Sequence, residues 1–206
     1  MSYKHQDTAN AVQNVKALHA MLATTNTELA GARRDLSDER YRAYEKQKRD
    51  AYDIARASAM ESVRTMKRNL TAILDEQEAR NLVEHGKNEY IQLIANGAKL
   101  TAHELALMLQ KHPENPLLLR SVKDYAEKNN FTENAEYRKA FNVAQTAQNP
   151  EVTPRQCIDR LAEYLTRYAP KDSDFANPEG QKLSQSLFET LTSEKNHLFE
   201  NFDNGI

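Results

Sequence analysis

The sequence predicts an all-α protein in which a long N-terminal coiled-coil-like helical arm precedes a cluster of short amphipathic helices. The stretch from about Thr8 to about His85 contains no proline, has Gly31 as its one glycine, and is rich in Ala, Arg, Glu, Gln, Lys and Met, a helix-forming composition. Its apolar residues recur at heptad-like spacing. No run alternates apolar and polar residues as a half-buried strand does. We therefore divide the chain into an extended helical arm, residues 1–85, and a C-terminal helical cluster, residues 86–206.

Two apolar seams run along the predicted arm. As one helix the arm would extend about 110 Å, so it must lie against a partner, a second copy or the rest of its own chain. The first seam consists of Val15, Leu18, Leu22, Leu29 and Leu36. The second seam, displaced by one heptad position, includes Val63, Met66, Leu70 and Ile73. We predict that these nine residues form an oligomer interface, and an intramolecular hairpin is the alternative that the same seams allow.

The sequence contains candidate helix starts at two places along the arm. Asp7 or Thr8 can cap the first helix, because both residue types are favoured at this position. Thr25 and Glu28 have the spacing of a capping box. The arm is therefore predicted as one helix or as two helices in line that restart near Thr25.

The cluster begins after Gly86, a plausible C-terminal cap. A short helix is predicted over residues 88–96 and stopped by Gly97. Thr101 and Glu104 form a second predicted capping box, whose helix buries Leu105, Met108 and Leu109.

Four later helices are predicted from caps and prolines. They start at Asn115 with Pro116, near Phe131, at Thr153 with Pro154, and at Asn177 with Pro178, because proline is well tolerated at the first helical position. The core stripe of the last helix is predicted to consist of Leu183, Leu187, Leu191, Leu198 and Phe202.

A basic stripe along the arm suggests an alternative role in nucleic-acid binding. At 100° per residue its side chains lie near one line on a helix; they are Arg42, Lys46, Arg49, Arg56, Arg64 and Lys67. Tyr41, Tyr44 and Tyr52 would be available to stack on bases. However, eleven basic and seven acidic residues lie between Arg33 and Arg68, a small excess for a protein that neutralises phosphates. A solvated face with ion pairs is the favoured interpretation.

Known catalytic and metal-binding patterns are absent from the sequence. His103 and His112 are nine residues apart, whereas ligands on one helix face need a spacing of three or four. Cys157 is the one cysteine; a helix N-terminus can lower a thiol pKa, but a small core residue is the favoured interpretation. Five glycines do not form a phosphate-binding loop. We expect no metal, no cofactor and no small-molecule substrate.

The overall composition favours a structural role over an enzymatic one. The 206 residues include 28% charged and 39% hydrophobic residues, with a net charge of −2, which is more charge and less core than compact enzymes usually have. No apolar run approaches a membrane span, and residues 1–10 lack a signal peptide's apolar segment. We therefore expect a cytoplasmic protein, or one within a particle assembled in the cytoplasm.

These observations lead to a non-enzymatic structural or assembly protein. It would oligomerise through its arm, as a homo-oligomer or as a subunit of a larger assembly such as a viral (phage) particle. The alternative is a helical nucleic-acid-binding subunit that uses the basic stripe. An enzyme whose site is assembled from scattered residues is the least favoured class.

Overall fold

The computed structural model describes residues 3–148, 152–192 and 198–206, which form helices and no strand. In chain order the α-helices are α1 (Gln6–Asp35), α2 (Asp38–Gly86), α3 (Glu89–Ala95), α4 (Ala102–Lys111), α5 (Pro116–Lys128), α6 (Ala135–Ala147), α7 (Pro154–Arg167), α8 (Pro178–Leu191) and α9 (Leu198–Asn204). A 3₁₀ helix, Asp172–Asp174, lies between α7 and α8. The all-α class and the long N-terminal helical stretch, in two pieces, are confirmed.

The chain divides into two compact units within helix α2. The first unit contains residues 1–73 and 154–206, and the second contains residues 74–153. This division differs from the one drawn at residues 85 and 86 from the sequence. The reason is that α7 and α8 pack on α1, and α9 packs on α7, so the end of the chain completes the unit in which the chain begins.

Helices α1 and α2 form an antiparallel hairpin in the first unit. Asn69 Nδ2 donates to Asp7 Oδ2 at 3.1 Å, and Lys48 pairs with Glu28 at 2.5 Å. Residues early in α1 therefore pair with residues late in α2, as in an antiparallel pair. The prediction of two helices in line is wrong for these residues, and the hairpin alternative describes them.

The break between the two helices falls at Leu36 and not at Thr25. Leu36 is extended, with φ −107° and ψ 150°. Arg33 and Arg34 lie in the last turn of α1, and α2 starts with acidic residues from Asp38 onwards. These charges are opposite in sign to the partial charges of the two helix ends. They therefore stabilise the end of α1 and the start of α2.

The start of α1 is capped by the far end of the chain. His5, not Asp7 or Thr8, is the N-cap residue, and its own side chain makes no capping bond. Instead the Asp203 carboxylate of α9 accepts from the His5 backbone N–H at 3.0 Å and from the Thr8 hydroxyl at 2.5 Å. Asp203 is fully buried, so these bonds replace its water contacts.

Helices α3 to α6, with the end of α2, form the second unit. The capping box of Thr101 and Glu104 is confirmed, and Asn115 caps α5 by accepting from the Leu118 N–H at 2.9 Å. The predicted start near Phe131 is wrong, because α6 begins at Ala135 after the cap Asn134. The core of this unit contains Leu105, Ala106, Leu109, Leu118, Val122, Ala126, Tyr137, Ala140 and Ala144.

Candidate protein-interaction site

Helix α8 packs on α1 through a mainly polar face. Gln181, Phe188 and Thr192 are the residues of this segment that are buried. Phe188 stacks on the ring of His19 from α1, with a distance of 4.9 Å between the ring centroids. One aromatic contact, flanked by amide and hydroxyl groups, therefore fixes the rotation of α8 about its own axis.

This rotation directs two of the three leucines of α8 towards solvent, whereas Leu191 is half-buried. Leu183 is 65% exposed and Leu187 is 47% exposed, whereas the sequence pattern predicted both in the core. They are four residues apart and so share one helix face. We call Leu183, Leu187 and the exposed Ser186 between them the α8 surface.

A clamp on the preceding loop holds α8 in place. Asn26 of α1 donates through Nδ2 to the Asp174 carbonyl at 2.9 Å and accepts through Oδ1 from the Ala176 N–H at 2.7 Å. The Tyr52 hydroxyl of α2 donates to the Pro170 carbonyl at 3.3 Å. Because Asn26 and Tyr52 are buried, the loop is anchored to the core of the hairpin.

His19 contributes a further bond to the same loop. Its Nε2 lies 2.9 Å from the Tyr168 carbonyl oxygen, and because a carbonyl only accepts, Nε2 carries the proton in this contact. Its buried Nδ1 has no hydrogen-bond partner among the described residues. Burial lowers the pKa of His19, opposed by the bond to Tyr168 and the charges of Asp174 and Glu189, so the neutral ring is favoured.

The predicted oligomer interface is mostly covered by the chain itself. The residues that are at most 3% exposed are Val15, Leu18, Leu22, Leu29, Val63, Met66 and Leu70. Leu36 and Ile73 are half-buried. The same hairpin core includes Tyr52, Ala59 and Phe175. An oligomer that used these seams would first have to open the hairpin.

Four of the six residues of the predicted basic stripe contact other side chains. Arg56 pairs with Asp172 at 3.1 Å, Lys67 pairs with Asp159 at 2.8 Å, and Arg64 pairs with Glu61 at 3.2 Å. Arg49 lies over the Phe175 ring, 4.3 Å from its centroid. Arg42 and Lys46 are exposed.

The three tyrosines proposed to stack on bases also have partners within the unit. Tyr52 is fully buried, and burial raises its pKa to about 12. Arg33 lies over Tyr41, and Lys48 lies over Tyr44, each 5.3 Å from the ring centroid. The side chains that would stack on bases are therefore largely engaged in the protein.

His103, His112 and Cys157 each have contacts within the protein. His103 bonds Glu136 at 2.7 Å, and His112 packs near Tyr90. Cys157 is buried, and burial raises its thiol pKa, against the lowering that a helix N-terminus would produce. Within residues 3–148, 152–192 and 198–206, no group of three or more His, Cys, Asp or Glu side chains is placed to hold a metal ion.

Comparisons of the chain with protein-family models, curated proteins and solved structures find no match. Among the described residues, no helix combines the length and apolar character needed to span a membrane.

The second unit carries an open apolar groove between α3 and α4. Tyr90, Leu93, Leu107 and Met108 line it, and its volume is about 680 Å³. Lys111 also lines the groove and donates to the Tyr90 hydroxyl at 2.9 Å. Leu93 and Leu107 are each more than 40% exposed, so the groove is a second apolar area open to solvent.

Proposed function

We propose that this chain is a non-enzymatic structural protein that joins other protein chains through the α8 surface. A viral or phage particle is the class of assembly we propose for it. The observation that carries the proposal is the exposure of Leu183 and Leu187 on a helix whose preceding loop is bound to the hairpin by polar contacts.

The energetics of α8 support a docking role. Full burial of a leucine is worth about 1.5–3 kcal/mol, so two exposed leucines forgo a few kcal/mol that a helix turned the other way would recover. Single exposed leucines are common on protein surfaces. A pair at four-residue spacing, however, is the pattern with which an amphipathic helix docks on a partner.

The proposed contact with other chains lies on the α8 surface and not on the arm. The seams predicted to join copies are used inside the hairpin, whereas the α8 surface is open. The coiled-coil-like character of the arm and its oligomerisation stay part of the proposal only for a form in which the hairpin has opened.

Photo-crosslinking in cells that make the protein tests this role. A benzophenone amino acid at position 187 should form products heavier than the monomer, whose composition mass spectrometry identifies. The same amino acid at position 57 is the control, because Ala57 is exposed on α2. Equal products from both positions, or none from position 187, would contradict the proposal.

A further inference from the structure

The contact between α8 and α1 depends on few groups for a helix of 14 residues. The buried residues of α8 itself are Gln181 and Phe188. Gln181 donates through Nε2 to Gln185 Oε1 at 2.5 Å, so this bond lies within α8 and does not hold the helix on α1. The docking of α8 therefore depends mainly on the stack of Phe188 on His19 and on the loop that precedes the helix.

The loop that enters α8 contains a strained residue. Ala176 has a φ of 56°, in the left-handed region that residues with a side chain seldom adopt. The Asn26 side chain holds this conformation by accepting from the Ala176 N–H. Because such strain persists only where surrounding contacts maintain it, a loop released from α1 would relax. The strain therefore lowers the cost of detaching α8.

The His19 ring places a buried nitrogen without a partner in the same interface. Nε2 carries its proton towards the Tyr168 carbonyl, and the buried Nδ1 has no hydrogen-bond partner among the described residues. An imidazolium has a proton on both nitrogens. Protonation of the docked ring would thus create a charged donor at Nδ1 with no acceptor, and an unpaired buried donor is costly, more so when it is charged.

The surroundings of His19 favour the neutral ring while α8 is docked. Burial has the largest effect and lowers the pKa of His19, whereas the bond to the Tyr168 carbonyl and the charges of Asp174 and Glu189 act to raise it. These two carboxylates belong to the 3₁₀ helix and to α8. The face of Phe188 also attracts a cation, but the pKa of His19 stays below its ordinary value.

We propose that α8 is a pH-sensitive switch, which detaches from α1 when His19 is protonated. The inference goes beyond the proposed function, because it concerns the docking of α8 and holds whether or not other chains bind the α8 surface. Once α8 has detached, both ring nitrogens can donate to water. Detachment also exposes Phe188, which shares a face with Leu191 three residues later, so the apolar face of α8 becomes wider.

The sign and the limit of the effect follow from linkage. The docked form is fully favoured above the ordinary histidine pKa, near 6.5, and is progressively lost below it, because the detached form binds the proton more tightly. A histidine of ordinary pKa changes from about nine-tenths neutral at pH 7.5 to about nine-tenths protonated at pH 5.5. Over this range the equilibrium constant for detachment can therefore rise by at most about tenfold.

Hydrogen exchange of the full chain at pH 7.5 and pH 5.5 tests the switch. After correction for the intrinsic effect of pH on exchange, the protection of the α8 amides should fall several-fold at the lower pH, because a detached helix of this length is marginal in water. At both pH values α8 should be less protected than α1. Unchanged protection of α8, or equal protection of α8 and α1, would overturn the inference.

Two variants test whether His19 is the group that titrates. His19→Gln removes the titrating ring and keeps a side-chain donor for the Tyr168 carbonyl, so the protection of α8 should no longer depend on pH. His103→Gln is the matched control, because His103 is exposed and pairs with Glu136 in the second unit; its α8 should respond as in the wild type. A wild-type response in His19→Gln would overturn the inference.

An NMR titration of the wild-type chain gives a test that does not depend on the folding of a variant. The ring nitrogens of His19 should show a neutral form protonated at Nε2 and a pKa below the ordinary value. Amide signals of α8 should change with the same midpoint as the ring. A His19 that titrates at or above about 6.5 would overturn the inference.

Discussion

Replacement of Asn26 by alanine tests whether the clamp on the loop before α8 stabilises the first unit. Asn26 is 3% exposed and bonds both the Asp174 carbonyl and the Ala176 N–H. Alanine removes both bonds, and the Asp174 carbonyl then keeps its bond from the Asn177 N–H at 3.2 Å.

The magnitude follows from these two bonds. Because the Asp174 carbonyl keeps a donor and Ala176 is exposed, each lost hydrogen bond is worth about 0.5–1.5 kcal/mol. Alanine recovers roughly 0.6 kcal/mol of helix propensity. We therefore expect Asn26→Ala to lower the free energy of unfolding by about 1–2 kcal/mol, which is roughly a 0.5–1 M decrease in the urea midpoint for a slope near 2 kcal/mol per M.

Asn14→Ala is the matched control on the same helix. Asn14 is exposed, and its Nδ2 donates to the Ser62 hydroxyl at 2.9 Å. The gain in helix propensity is the same in both variants, so the difference between them isolates burial. We expect Asn14→Ala to change the free energy of unfolding by less than about 0.5 kcal/mol.

Urea unfolding followed by far-UV circular dichroism measures both variants. Hydrogen exchange over residues 168–177 should also become faster in Asn26→Ala and stay unchanged in Asn14→Ala. Similar midpoints for the two variants, or unchanged exchange of the loop, would refute the reasoning that the clamp holds α8.

Three other contacts of the first unit can each be tested by one substitution. As pH falls below about 6.5, the unfolded chain protonates at His19 before the folded chain does, since burial lowers its pKa. Stability is then lost by at most about 1.4 kcal/mol between pH 7.5 and 5.5. His19→Gln should remove this pH-dependent loss of stability. If the difference in unfolding free energy between the variant and the wild type is the same at every pH, the prediction is contradicted. Asp203→Ala should cost about 2–4 kcal/mol by removing buried acceptors, and an unchanged melting temperature would show that α1 needs no such cap. Arg56→Glu, which places an acidic group beside the exposed Asp172, should cost about 1 kcal/mol without changing retention on immobilised DNA. Lost retention at unchanged stability would favour the nucleic-acid alternative.

The local features of the fold could be predicted because their causes are local. The capping box at Thr101, the cap at Asn115 with its following proline, and the start of α7 at Pro154 all appear where the sequence places them. Each involves side chains within a few residues of the helix end.

The sequence also contains a pattern that indicates the turn of the hairpin, but the prediction of a continuous arm followed the heptad-like spacing of the apolar residues. Arg33 and Arg34, followed by Ser37 and Asp38, combine a cationic helix end with a residue type favoured at an N-cap and an acidic start. Thr25 has similar cap chemistry, yet its helix continues, because packing buries Thr25 itself within the hairpin unit.

Which face of α8 packs on the rest of the unit could not be predicted from the sequence of α8 itself. Its leucine spacing predicts a core stripe, and the helix instead packs through Phe188 on His19. The choice depends on Asn26, about 150 residues earlier in the chain, which fixes the loop that enters α8. The local pattern identifies an apolar face, whereas the tertiary contacts decide whether that face is covered.

The division of the first unit between the two ends of the chain sets an order for synthesis on the ribosome. Residues 74–153 are contiguous, so this part can fold as soon as it has emerged. The contacts of α1 with α7 and α8 can form only later, because α7 begins more than 80 residues after residue 73. At about 5–20 residues per second, the faces of α1 that α7 and α8 cover stay open for several seconds during every round of translation. The Asp203 cap of α1 forms after these contacts, because α9 is synthesised later than α7 and α8.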